Sequence, residues 1–108
     1  NSMLTYPPRE VSLKGPSSVL RYFRQILDCP RTKMMILDGF DLAEVDRIIL
    51  RYPELTWLDM SNNNIGEVPA DLRQLQVVEH VNFSSNKLGS IPKILSLMHS
   101  INDLSLDR

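Results

Sequence analysis

The sequence predicts an α/β fold: a solenoid of stacked coils with a short parallel β-sheet on its concave face and an amphipathic helix beside it. Three observations carry that prediction. First, residues 55–77, LTWLDMSNNNIGEVPADLRQLQV, superimpose on residues 78–100, VEHVNFSSNKLGSIPKILSLMHS, at an offset of 23 (78 − 55 = 23). Leu55, Leu58, Met60, Asn63, Ile65, Val68, Pro69 and Leu72 fall on Val78, Val81, Phe83, Asn86, Leu88, Ile91, Pro92 and Leu95. Second, Leu58 and Met60 alternate with Trp57 and Asp59, a period of two that marks a strand with one buried face. Third, Asn63 and Asn86 stand where each coil turns out of its strand, and an Asn amide can bond backbone groups that a turn leaves unpaired. One such coil cannot hide its apolar face alone, so coils stack, share a core and line their strands into a parallel sheet.

Taken in order, residues 1–31 read as a half-repeat followed by a capping helix. NSMLTYPP resembles the second half of a coil, with Asn1 in the turn-Asn place, Met3 in the next apolar place and Pro7 in the place of Pro69. Gly15-Pro16 breaks the chain. Ser17 or Ser18 then caps a helix over Val19–Leu27 that Cys29-Pro30 ends. Val19, Leu20, Phe23, Ile26 and Leu27 form its inward stripe, leaving Arg21, Arg24 and Gln25 outside.

Residues 32–108 hold the repeats. The first, 32–54, is degenerate: Met35, Leu37, Leu42 and Val45 stand 23 before Leu58, Met60, Ile65 and Val68, while Phe40 replaces the turn Asn and Gly39 supplies the tight backbone. Its second half, Leu42–Leu50, reads as a helix. Two regular repeats follow, 55–77 and 78–100, in which Pro69 and Pro92 open a helical turn. The last, 101–108, is partial, with a strand over Ile101–Leu106. INDLSLDR joined to NSMLTYPP would make one complete repeat, which fits a unit of a longer tandem array, a circular permutant, or coincidence from a short tag. An uncovered strand at Leu104–Leu106 would leave backbone groups unpaired. The expectation is that residues 1–28, or the N-terminal segment of another copy, cover that edge.

Composition narrows the class. At 108 residues the chain holds one domain's worth of structure, and its 43% hydrophobic content is ordinary for a globular protein. A net charge of −1 argues against a general nucleic-acid or membrane surface. The single cysteine, Cys29, excludes an internal disulfide and favours a reducing, cytoplasmic compartment. No apolar run is long enough to span a membrane and the N-terminus is unlike a signal peptide. The sequon Asn82-Phe83-Ser84 falls inside a strand and reads as fortuitous.

A period of 23 with L-x-x-L-x-L-x-x-N-x-L spacing resembles intracellular leucine-rich repeat proteins of the "IP-x-x-L" type over residues 32–108. Residues 4–27 add a narrower likeness. Tyr6, Pro7, Pro8, Glu10, Val11, Gly15, Val19, Leu20, Tyr22 and Phe23 are similar to the PP-x-E-V…G…V-L-x-Y-F segment that closes the repeat array in Roco-type repeat proteins and in the repeat–SAM–RING ubiquitin ligase. There the segment follows the array; in this chain it precedes it. The resemblance implies a protein-binding domain of a larger signalling or ubiquitin-pathway protein.

Between the buried strand residues lie those facing the concave surface: the rows Lys33, Thr56, Glu79, Asn102; Met34, Trp57, His80, Asp103; Ile36, Asp59, Asn82, Ser105; and Asp38, Ser61, Ser84, Asp107. Trp57, Asp59, Glu79, His80, Asn82, Asp103 and Ser105 are the candidate protein-binding residues, with Trp57, the only tryptophan, as anchor. The acidic members Asp38, Asp59, Glu79, Asp103 and Asp107 fit a basic partner, though small polar residues at such places also keep a sheet soluble. Catalytic and cofactor chemistry are not expected. His80 and His99 lack metal-ligand spacing, Cys29 has no nearby His, no glycine-rich phosphate loop occurs, and Ser84 stands roughly 13 Å along the strand from His80. Two functions remain: an interaction module binding another protein, or an assembly unit pairing with copies of itself.

Overall fold

Every strand among the described residues begins at the same place in the repeat. In the structure, a computed structural model describing residues 7–90 and 92–107, β1 is Met34–Ile36, β2 Trp57–Asp59, β3 His80–Asn82 and β4 Asp103–Ser105. They form one parallel sheet in the order β1-β2-β3-β4. The register sets Met35 beside Leu58, Leu58 beside Val81 and Val81 beside Leu104. These are the residues the 23-residue period equates. The ladder runs on past the strands: Leu37, Met60 and Phe83 donate their N–H groups to Asp59, Asn82 and Ser105 O at 2.7–2.8 Å.

The core is the inner face of these coils. Met35, Leu37, Leu58, Met60, Val81 and Phe83 are buried from the strands, and Leu42, Ile65, Ile49, Leu72 and Leu95 from the returning segments. Burying each such side chain contributes about 1.5–3 kcal/mol. Each coil leaves its strand through a left-handed residue at the same repeat place: Gly39 (φ +74°), Asn62 (φ +57°) and Ser85 (φ +56°). Asn63 and Asn86 follow at once. The Asn63 Nδ2 lies 3.0 Å from Leu37, Met60 and Ser61 O, and its Oδ1 accepts from Phe40 N (3.1 Å) and Leu42 N (2.9 Å). Asn86 repeats the pattern on Met60, Phe83 and Ser84 O and on Ile65 N. Each amide therefore satisfies its own turn and also the coil before it.

The returning segments are shorter than expected. Over 42–50 there is no long helix, only a 3₁₀ turn at Arg47–Arg51. The reason is that Leu42 is already spoken for: its N–H goes to Asn63 and its C=O accepts from Asn64 N. Helix begins only after Asp46, whose Oδ1 accepts from Ile48 N. Pro69 precedes a like turn, Ala70–Gln74, and Pro92 a single α turn, Lys93–Ser96, labelled α3. Both prolines sit at the N-cap, one place earlier than the first helical position. Ile91, one of the repeat's apolar positions, lies outside the described residues.

The N-terminal helices depart from expectation in three ways. After α1 (Arg9–Leu13), α2 runs Pro16–Thr32 with Gly15 (φ +105°), not a serine, at its N-cap and Pro16 in the first turn. It continues through Pro30 and closes at Lys33, a left-handed residue whose N–H bonds Cys29 O at 2.7 Å. Finally, its inward face is Tyr22, Ile26 and Cys29, whereas Leu20 and Leu27 are 60% and 75% exposed. Arg21 and Gln25 turn toward the sheet: Gln25 Oε1 accepts from Ile36 N at 2.9 Å, and Arg21 donates to Asp38 O and lies 3.9 Å over the Phe40 ring. Gln25 turns toward the sheet because β1 presents an edge N–H that its side chain can bond.

So α2 covers the β1 edge. Of the two covers expected for the β4 edge, residues 1–28 or the N-terminal segment of another copy, the first is corrected for residues 9–28, which lie at the opposite end of the sheet. Asn1 to Tyr6, with the turn-Asn place assigned to Asn1, lie outside the described residues, as does Arg108. Among the described residues β4 is the last strand, and Leu104 is 40% exposed where its equivalents Leu58 and Val81 are buried.

Asn63→Ala should cost about 3 kcal/mol or more in urea denaturation, because it orphans two buried backbone N–H groups. Asn86→Ala should cost less, since Asn86 is only half-buried.

Candidate functional site on the open face of the sheet

A parallel sheet places residues at one register on one line, so side chains 23 apart become neighbours roughly 4.8 Å apart. On the face away from the core, the pairing Met34–Trp57–His80–Asp103 is the central row, and Ile36–Asp59–Asn82–Ser105 the next. Every candidate strand residue named from the sequence lies in one of these two rows, and Glu79 stands just before β3.

The central row has internal structure. The Trp57 and His80 rings lie with centroids 4.4 Å apart, tilted by 33°. His80 Nδ1 lies 3.1 Å from Asp103 Oδ2. A carboxylate only accepts, so Nδ1 carries the proton. The carboxylate thus orients the imidazole and the imidazole supports the indole. Trp57 remains 38% exposed and Met34 stands beside it, equally open. The result is an aromatic ledge ending in an acid.

The second row is more occupied. Asp59 Oδ1 accepts from the Ser61 N–H and hydroxyl at 2.9 and 2.6 Å, and Asn82 Oδ1 accepts from Ser84 N at 2.9 Å. These side chains brace the strand exits, leaving part of each for a ligand. Ser105 is half-buried on β4, and Glu79 is exposed, its backbone carbonyl accepting from Asn102 and Asp103 N. At the β1 end, Asp38 pairs with Arg21 at 3.6 Å and Lys33 with Glu54 at 2.7 Å. The hydrogen bond from Lys33 and its charge hold the Glu54 carboxyl below its usual range.

The sequence reading missed the roles of Arg21 and Gln25, which fix the β1 side of this face. Helical periodicity scores both as outward, and only their proximity to a strand edge reveals the bonds. Cys29 is buried, and desolvation raises its thiol pKa against the opposing pull of Lys33. A raised pKa keeps it a thiol, not a thiolate nucleophile. Among the described residues, no group of three or more His, Cys, Asp or Glu is placed to hold a metal, and no helix is long and apolar enough to cross a membrane.

With this geometry in hand, comparison with known proteins adds one result. Residues 54–75, the second coil, match the family model of the Leucine Rich Repeat. The match supports a leucine-rich repeat there, and together with the four-stranded parallel sheet and its helices it fits an α/β repeat fold. Such repeats are non-catalytic and generally mediate protein–protein interaction. A search of curated proteins finds no match to the chain.

Proposed function

We propose that the protein is a protein–protein interaction module, a leucine-rich repeat scaffold or recognition domain that binds its partner on the open sheet face, the concave side of a solenoid. In this reading it serves a larger cytoplasmic protein of signalling or ubiquitin-pathway type, without catalytic work of its own. One observation carries the proposal: Trp57, stacked on His80 and still 38% exposed, stands in the middle of that face. An aromatic side chain held rigid before binding loses little entropy when a partner covers it, which is how a few residues come to dominate an interface. Trp57→Ala should weaken a captured heterologous partner by about 2 kcal/mol while the mass of the free protein is unchanged. Full affinity in that variant would refute the reading.

A second reading, an assembly unit pairing end to end with its own copies, rests on a different observation. Leu104 is exposed on β4, and a cleft of about 130 Å³ nearby in the chain is lined by Phe83, Leu88, Pro92 and Leu106 together with the polar Asn86, Ser90 and Asp107. An open strand edge with apolar side chains is a template for pairing. This reading expects mass in light scattering to rise with protein concentration, and Leu104→Asp to abolish the rise. A constant monomer mass would eliminate it.

A further inference from the structure

Resting on the open-face reading above, we infer that the partner segment bound there is basic, an extended stretch carrying arginine or lysine whose cations meet Trp57 and the carboxylates of Glu79 and Asp103. The aromatic ledge supplies the first reason. A guanidinium or ammonium over an indole is the strongest of the cation–aromatic pairs, and arginine adds a planar surface that stacks. The charge balance of the face supplies the second. Its cations are already committed: Lys33 holds Glu54 at 2.7 Å, and Arg21 holds Asp38 while covering Phe40. Its acids are not. Asp59, Glu79 and Asp107 form no ion pair with any described basic side chain, and Asp103 meets only His80. From β2 to β4 the face therefore presents carboxylates around one aromatic pair with no lysine or arginine paired to them among the described residues.

Position supplies the third reason. Trp57, His80 and Asp103 stand on three successive strands, so an extended segment crossing the row meets an aromatic pair and then a carboxylate. Glu79, just before β3, accepts from Asp103 N through its backbone carbonyl at 3.0 Å, so both acids lie at the β3–β4 end of the row. An acidic segment would meet the same carboxylates with repulsion, so the face discriminates by charge as well as by fit.

Trp57 is the only tryptophan, so its fluorescence reports binding directly. The test is selection from a randomised linear peptide library displayed on phage, against the whole chain. Synthetic copies of the enriched peptides are then titrated into the wild type and variants of unchanged circular dichroism. The expected result is enrichment of arginine- or lysine-bearing peptides that shift Trp57 emission. Their affinity should fall about fivefold or more in the Glu79→Gln/Asp103→Asn double variant, and also on raising salt from about 0.05 to 0.3 M. Leu27→Ser, on the outer side of α2, should leave it unchanged. Enriched peptides that are neutral or acidic but still need Trp57 would overturn the charge assignment and leave the open-face reading standing. Peptides indifferent to Trp57→Ala, measured calorimetrically, would overturn both. A library yielding no peptide would overturn the inference.

Discussion

The amide of Asn63 joins two coils that would otherwise share only apolar contact. A turn out of a short strand leaves N–H and C=O groups pointing inward, away from water, and buried groups of this kind must be bonded. One carboxamide has two donors and an acceptor oxygen with two lone pairs, and Asn63 uses them on Leu37, Met60 and Ser61 O and on Phe40 and Leu42 N. Three of these five groups belong to the first coil's exit, between Leu37 and Leu42. The spacing of 23 is therefore more than a rhythm of leucines: sliding one coil against the next by a residue would break these bonds and turn the strand side chains to the wrong face. Asn86 does the same between the second and third coils. Degeneracy in the first coil follows too. Phe40 can replace an asparagine because no repeat coil precedes it among the described residues; α2 lies there, and Arg21 covers its ring.

Site geometry descends from the same register. Trp57 and His80 are separated by a full repeat in the chain, and their rings meet at 4.4 Å because β2 and β3 pair in step. The row Met34–Trp57–His80–Asp103 could be written from the period alone, as could the inward line Met35–Leu58–Val81–Leu104. What periodicity could not supply was the use to which polar atoms are put. Asp59 and Asn82 look like free surface groups in the sequence, yet both accept bonds from the residue two places on. That is local turn chemistry.

The misjudged elements share a cause. Leu42–Leu50 has a helical pattern of leucine, valine and isoleucine, but the backbone of Leu42 is claimed by Asn63 and Asn64, so only Arg47–Arg51 winds. Leu20 and Leu27 complete a helical stripe on paper, yet α2 turns Tyr22, Ile26 and Cys29 inward, with Gln25 bonding the strand edge at Ile36. In each case a hydrogen bond from a neighbouring element outweighed the local apolar pattern. The single-sequence pattern records side-chain polarity; the demands of a strand edge or a buried turn are set by what folds beside it. The helix α2 also runs past Pro30, which local rules would have made its end, and closes only at Lys33.

Native-state hydrogen exchange on the backbone amides of Phe40, Leu42 and Ile65 tests this account most directly. All three lie outside regular strand or helix, and all three donate to an asparagine Oδ1 of the following coil. If those bonds hold the coils together, these amides open only with the sheet, and their protection should equal that of Leu37 and Met60 at the strand exits. Exchange at the fast rate of ordinary exposed loop amides, while Leu37 and Met60 stay protected, would show that apolar packing alone sets the register, and would contradict a bridging role for Asn63 and Asn86.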